Sequence, residues 1–179
     1  MSRKALLVAV AALLLVPAAL AGCGSSSSPE ADWAQNFCDA LGTWKASVTT
    51  AGKKLTDTST LSKSTAQEAV DSISSANTKL VSDLKALGKP EGSSGPEAKS
   101  AVQNLSTQLE KDAATVKSTM NGVSTTQELL GAIPMMANAA SAAATSVSDT
   151  ITQLESLDTS DKWKQAFEDS DACKSLKNA

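Results

Sequence analysis

The chain of 179 residues contains no histidine and no tyrosine, and its only arginine is Arg3. Without imidazole there is no His acid or base and no His metal ligand. Arg3 falls in a leader expected to be removed, which leaves the mature chain no guanidinium for bidentate phosphate recognition. Aromatics are limited to Trp33, Trp44, Trp163, Phe37 and Phe167. The three cysteines include no Cys-x-x-Cys pair, so zinc binding and thiol–disulfide catalysis are poor readings. Glycine-rich phosphate loops are absent. No stretch alternates with a two-residue period and β-branched enrichment, which argues against a sheet.

Alanine, serine and threonine, by contrast, make up 73 of the 179 residues. Their placement follows from a pass along the chain. Residues 1–22 read as a targeting segment, with Arg3 and Lys4 as a basic head followed by an apolar run from Ala5 to Leu20. That run is shorter than the roughly 20 residues a membrane-spanning helix needs. Leu20-Ala21-Gly22-Cys23 closes the segment, and it resembles the lipobox of bacterial prolipoproteins. The resemblance covers residues 1–23 only. It implies cleavage between Gly22 and Cys23 and a thioether-linked diacylglyceryl group on Cys23, with acyl chains such as palmitate as the only membrane attachment. Similar helical lipoproteins occur in Gram-positive, especially actinobacterial, envelopes, so the expected location is the outer face of the cell membrane. Residues 23–30 then form the acylated cysteine and a Ser-rich tether, and 31–179 a single helical domain.

The mature balance is 14 lysines against 19 carboxylates. No basic stripe or basic–aromatic cluster exists, so nucleic acid is not an expected partner. An acidic domain is also disfavoured from lying flat on an anionic membrane.

With Cys23 assigned to lipid, Cys38 and Cys173 remain, and an even count in an exported chain predicts a disulfide between them. Trp33, Phe37 and Trp44 bracket Cys38, while Trp163 and Phe167 precede Cys173. The first and last helices should therefore touch, with the rings packed around the bridge.

Helical periodicity is sustained through the rest. Trp33, Phe37, Ala40, Leu41, Trp44, Val48 and Leu55 predict a first helix over about 31–54, capped by Asp32 or Ser28. Gly42 inside it hints at close packing. Ser64-Thr65-Ala66-Gln67 reads as a capping box for a second helix, whose seam of Ala66, Val70, Ile73, Asn77, Leu80, Leu84 and Leu87 steps in fours and threes until Gly88 and Pro90 stop it. Asn77 on that seam is expected to fix register. Pro96 suits the first position of a third helix, with Ala98, Val102, Leu105, Leu109, Ala113, Val116 and Met120 facing inward and a stutter between Leu109 and Ala113. Asn121-Gly122 ends it. Ser124 to Gln127 reads as another capping box, opening a pattern that runs to Leu157.

Pro134 is expected to kink or split that fourth helix, because it lacks an N–H and clashes with the preceding turn. Counted from Pro134, the seam is Ala137, Ala140, Ala144, Val147, Ile151 and Leu154. Asp158 to Asp161 should form a turn leading into one short last helix. The expected fold is all-α: an antiparallel bundle of about four long helices plus a short C-terminal helix, disulfide-stapled.

Candidate chemistry is sparse. Ser82-Asp83-Leu84-Lys85 matches Ser-x-x-Lys, but in a chain so rich in both residues it reads as a solvated helix face. Glu168, Asp169 and Asp171 lack the ligand alternation and glycine of a calcium loop, and Asn104-Leu105-Ser106 reads as a chance sequon inside a helix. Pro134, Met135 and Met136 read either as an adaptable apolar ligand groove opened by the kink or as a weak soft-metal site, with ordinary core filling as the favoured role. No cofactor, metal or catalytic residue is expected. Two functions remain: a non-catalytic module that presents a helical face or groove to an envelope partner, or a carrier of a small apolar ligand in a pocket near Met135, Met136 and the alanine seam. An enclosed apolar cavity of several hundred Å³ would favour the carrier.

Overall fold

A computed structural model describes residues 28–57, 59–157 and 162–177. The leader, Cys23, most of the tether and the turn at 158–161 lie outside the described residues. Six helices follow one another: α1 (Pro29–Thr56), α2 (Lys63–Leu87), α3 (Gly95–Asn121), α4 (Thr126–Glu155), α5 (Lys162–Asp169) and α6 (Asp171–Lys177). There is no strand among the described residues. The first four run up and down, α1 packing on α2, α2 on α3 and α3 on α4.

Local chemistry sets the helix ends. Ser28 caps α1 through its side chain, which accepts from the Ala31 amide at 3.2 Å, and Pro29 occupies the first helical position, where no donor is needed. The cap of α2 is Ser62 rather than Ser64. Its hydroxyl accepts from the Thr65 amide while Thr65 Oγ1 accepts from the Ser62 amide. On α4 the box is Thr125 with Glu128, one residue along from the expected Ser124 with Gln127. Glutamate wins because its carboxylate accepts two amides, those of Ser124 and Thr125. These bonds hold the Glu128 carboxyl below its ordinary pKa. Gly88, at φ 67°, closes α2 in a backbone conformation that other residues resist.

Pro134 neither splits nor ends α4, which runs through it and is 30 residues long in all. The missing N–H forfeits one bond to the Leu130 carbonyl, but Pro134 and Leu130 are both exposed, which lets water take that place. The C-terminal segment departs from expectation in the other direction. It is two short helices, broken at Ser170. The Ser170 hydroxyl accepts from the Cys173 amide, capping α6, and donates to Gln35 Oε1 on α1.

At this end the structure is densely tied. Cys38 and Cys173 form a disulfide with Cα atoms 5.0 Å apart. Around it Trp33 stacks on Phe37 at 5.3 Å and meets Trp163 edge-on at 5.5 Å, while Phe37 meets Phe167 edge-on at 6.0 Å. The four rings and both cysteines are buried. These large side chains replace the area that alanine-rich seams cannot bury.

Candidate functional site

The interior is two apolar clusters rather than one. The first joins the aromatic, stapled end to Leu80, Leu105, Leu109 and Ile151. The second lies at the far end of the bundle and is built from smaller side chains such as Ala66, Ala69, Val70, Val116, Leu129 and Met136. Between them runs a buried polar layer. The Trp44 indole N–H donates to Asn77 Oδ1, and the Asn77 amide donates to the Leu109 carbonyl at 3.4 Å. Asn77 thus ties α1, α2 and α3 in one register, as its seam position implied.

Beside this layer the bundle is open. α5 and α6 pack against α1, and α5 against α4, at the stapled end; no comparable packing joins α1 directly to α4. α5 thus touches both long helices at that end, and between them a gap is left. The gap holds a cavity of about 450 Å³. Trp44, Val48, Gly52 and Leu55 of α1 form one wall, and Ile133, Met136, Ala139 and Ala143 of α4 the other. Ile73 and Asn77 of α2 with Asp112, Ala113 and Val116 of α3 form the back. The lining is predominantly apolar. A second depression of about 520 Å³ continues along the same gap below Trp44, between Lys45 on α1, Ala144 to Glu155 on α4, and Leu176 on α6.

The open side explains where the fourth helix departs from the reading of its sequence. Its buried residues are Leu129, Ala132, Met136, Ala139, Ala143, Val147, Thr150, Ile151 and Leu154. Ala137, Ala140 and Ala144, read as seam, are exposed and border the gap. A closed bundle would press that face on α1; here it forms the cleft's rim. Gly42 departs from its expected close packing as well. A Cβ built there meets nothing within 4 Å, so it marks no close contact, and the same holds for Gly52 beside the cavity. Close approach occurs instead at Gly95, where a Cβ would fall 2.2 Å from the Pro90 carbonyl oxygen.

Of the three residues proposed as a groove, only Met136 lines the cavity. Met135 is 57% exposed, and Pro134 lies on the solvent side. Residues 129–148 of α4 contain no charged side chain, so this helix presents a neutral outer surface that includes Leu130 and Met135. The charged groups at the cavity are Lys53, exposed at its rim, and Asp112, in its back wall. Gln108 donates to Asp112 Oδ1 at 2.9 Å, and Asp112 Oδ2 is buried with no hydrogen-bond partner.

Glu168, Asp169 and Asp171 stand where α5 meets α6; Glu168 approaches Lys164, and Lys174 pairs with Asp171 and the Asp169 carbonyl. Ser82 and Lys85 lie on the solvent face of α2. Among the described residues no three His, Cys, Asp or Glu side chains cluster as a metal site requires, and no helix is long and apolar enough to cross a membrane. The chain matches no protein-family model, no curated protein and no solved structure.

Proposed function

We propose that this protein is a lipid-anchored, extracytoplasmic binding protein without catalytic chemistry, and that the α1–α4 cleft takes a small apolar ligand. The observation that carries the reading is the apolar space between α1 and α4, which is a cleft open on one side rather than the enclosed cavity named from the sequence. The cleft's volume of about 450 Å³ falls within the roughly 300–1,000 Å³ of small-molecule sites, and its walls are apolar with a few polar groups. The lipobox-like Leu20-Ala21-Gly22-Cys23 supports the anchor, and a mature chain without His or Arg supports a binding role over a catalytic one.

The start of α1 and the cleft are separated along the bundle. Ser28 starts α1 at the stapled end, and Val48 to Thr56 border the cavity 20–28 residues further on, about 30–42 Å at 1.5 Å per residue. A tethered domain would hold the cleft's mouth away from the bilayer.

The test is binding of a fluorescent apolar probe, with Gly52→Leu to fill the mouth and Gly52→Ala as its control. Saturable binding that the leucine abolishes and the alanine preserves is expected; binding insensitive to Gly52→Leu would move the site elsewhere. Cys23→Ser should release the protein from membranes, and full retention would refute the anchor. The second reading, an envelope protein docking on a helical face, has one observation behind it: the charge-free stretch 129–148 of α4 with Leu130 and Met135 exposed. In-cell crosslinking from Met135 tests it.

A further inference from the structure

We infer that the cleft selects a single-chain amphiphile with an anionic head, the chain lying in the cavity and the head at Lys53. The inference rests on the binding role proposed for the cavity and concerns the class of ligand. Its starting point is the asymmetry of the mouth. On the α1 rim stand Thr49, Lys53 and Thr56, all exposed. The α4 rim offers Ala137 and Ala140 within a stretch, 129–148, that carries no charge of either sign. Lys53 is therefore the one charged side chain at the mouth, and among the described residues no carboxylate lies within ion-pair distance of it. A cation flanked by neutral small residues and a low-dielectric cavity attracts an anion more strongly than the same lysine on an open surface.

The Asp112 carboxylate at depth acts in the same sense, since it repels an anionic head from the interior and so directs it to the mouth. Asp112 belongs to α3, in the back wall across from the mouth, with Oδ1 engaged by Gln108 and Oδ2 fully covered. The Asn77 amide and the Trp44 N–H are consumed in the floor. A chain in the cavity therefore meets mainly apolar side chains, while an anionic head is kept from the depth by Asp112 and finds its cation, Lys53, at the entrance. That distribution suits a molecule apolar along its length and charged at one end.

The experiment compares dodecanoate, dodecylammonium and 1-dodecanol by isothermal titration at pH 7, below their aggregation concentrations, on the oxidised protein. Dodecanoate is expected to bind at least tenfold tighter than dodecylammonium, with the alcohol between them. Lys53→Glu should reverse the order of the two ions and leave the alcohol within about twofold, which also shows the variant is folded. Asp112→Ala should preserve the wild-type order. Equal affinities for the two ions, a wild-type preference for the ammonium, or an order unchanged by Lys53→Glu would overturn the inference while leaving the cavity a binding site. Failure of all three probes to bind would overturn the binding role as well.

Discussion

Removing the Cys38–Cys173 bridge by a double Cys→Ala substitution should lower stability more than any other change at the stapled end. The bridge closes a loop with a sequence separation of 135. On the chain-entropy argument, a loop of that length restricts the unfolded chain by about 5 kcal/mol at 25 °C. At a guanidinium slope of about 4 kcal/mol per M, the unfolding midpoint should fall by roughly 1.2 M. The bridge also holds the segment formed by α5, Ser170 and α6, whose buried residues are few: Trp163, Ala166, Phe167, Ser170 and Cys173. Ordering a segment this short costs about 1–2 kcal/mol per residue in backbone freedom, so the variant should expose it locally before the bundle unfolds. Guanidinium titration followed by tryptophan fluorescence and far-ultraviolet dichroism measures the global term. Limited trypsin digestion at Lys162 and Lys164 measures the local one. A loss under about 1.5 kcal/mol together with unchanged cleavage would refute both the entropic account and the role given to the staple.

Three further predictions concern the rest of the bundle. Gly42→Ala and Gly52→Ala should each stabilise by about 0.5–1 kcal/mol, since helix propensity rises and nothing obstructs the methyl; Gly95→Ala should destabilise because of the Pro90 carbonyl, and thermal melts that rank the three otherwise would count against the packing described. Asn77→Ala strands the buried Trp44 N–H and should cost about 1–3 kcal/mol; Trp44→Phe in the same chain should recover part of it, whereas additive losses in the double-mutant cycle would contradict the coupling. The Glu128 pKa is lowered by the Ser124 and Thr125 amides, so its contribution to stability is present above the unfolded-state pKa and fades as pH falls through the folded one. Acid titration watched by amide resonances of Ser124 and Thr125 should show both moving with Glu128, and Glu128→Gln should remove the dependence.

Much of the fold was legible because its determinants are local or covalent. Heptad spacing located the helices, Gly88 and Pro96 marked ends, and cysteine parity with aromatic clustering pointed to the staple. The capping misassignments are shifts of one or two residues among neighbouring serines and threonines, where Ser62, Ser64, Ser124 and Thr125 are all chemically competent. Only the geometry of the incoming loop selects one of them. The α4 face was misread for a different reason. Periodicity gives the stripe a helix can bury, but alanines at 137, 139, 140, 143 and 144 make two adjacent stripes almost equally apolar, and the choice depends on whether α1 arrives to cover one. That is a long-range fact, set by how the other helices pack and not by the sequence of α4 itself. The site is half legible: Met136 belongs to a recognisable motif, while Gly52, Lys53 and Asp112 belong to none. The available signal was the uncharged run 129–148 opposite a glycine on the first helix.

The division of the interior into an aromatic, cross-linked half and an alanine–valine half has a consequence for motion. Local opening free energies follow buried area and covalent restraint, so they should decline along the bundle's long axis from the staple toward the Thr125 cap. Amides of α1 near Cys38 should exchange with solvent only through global unfolding, while those around Ala51 and Leu129 should exchange through smaller excursions. A molecule could then enter or leave the gap through a transient parting of the soft half, its residence time governed by that breathing while the hard half stays folded as a hinge.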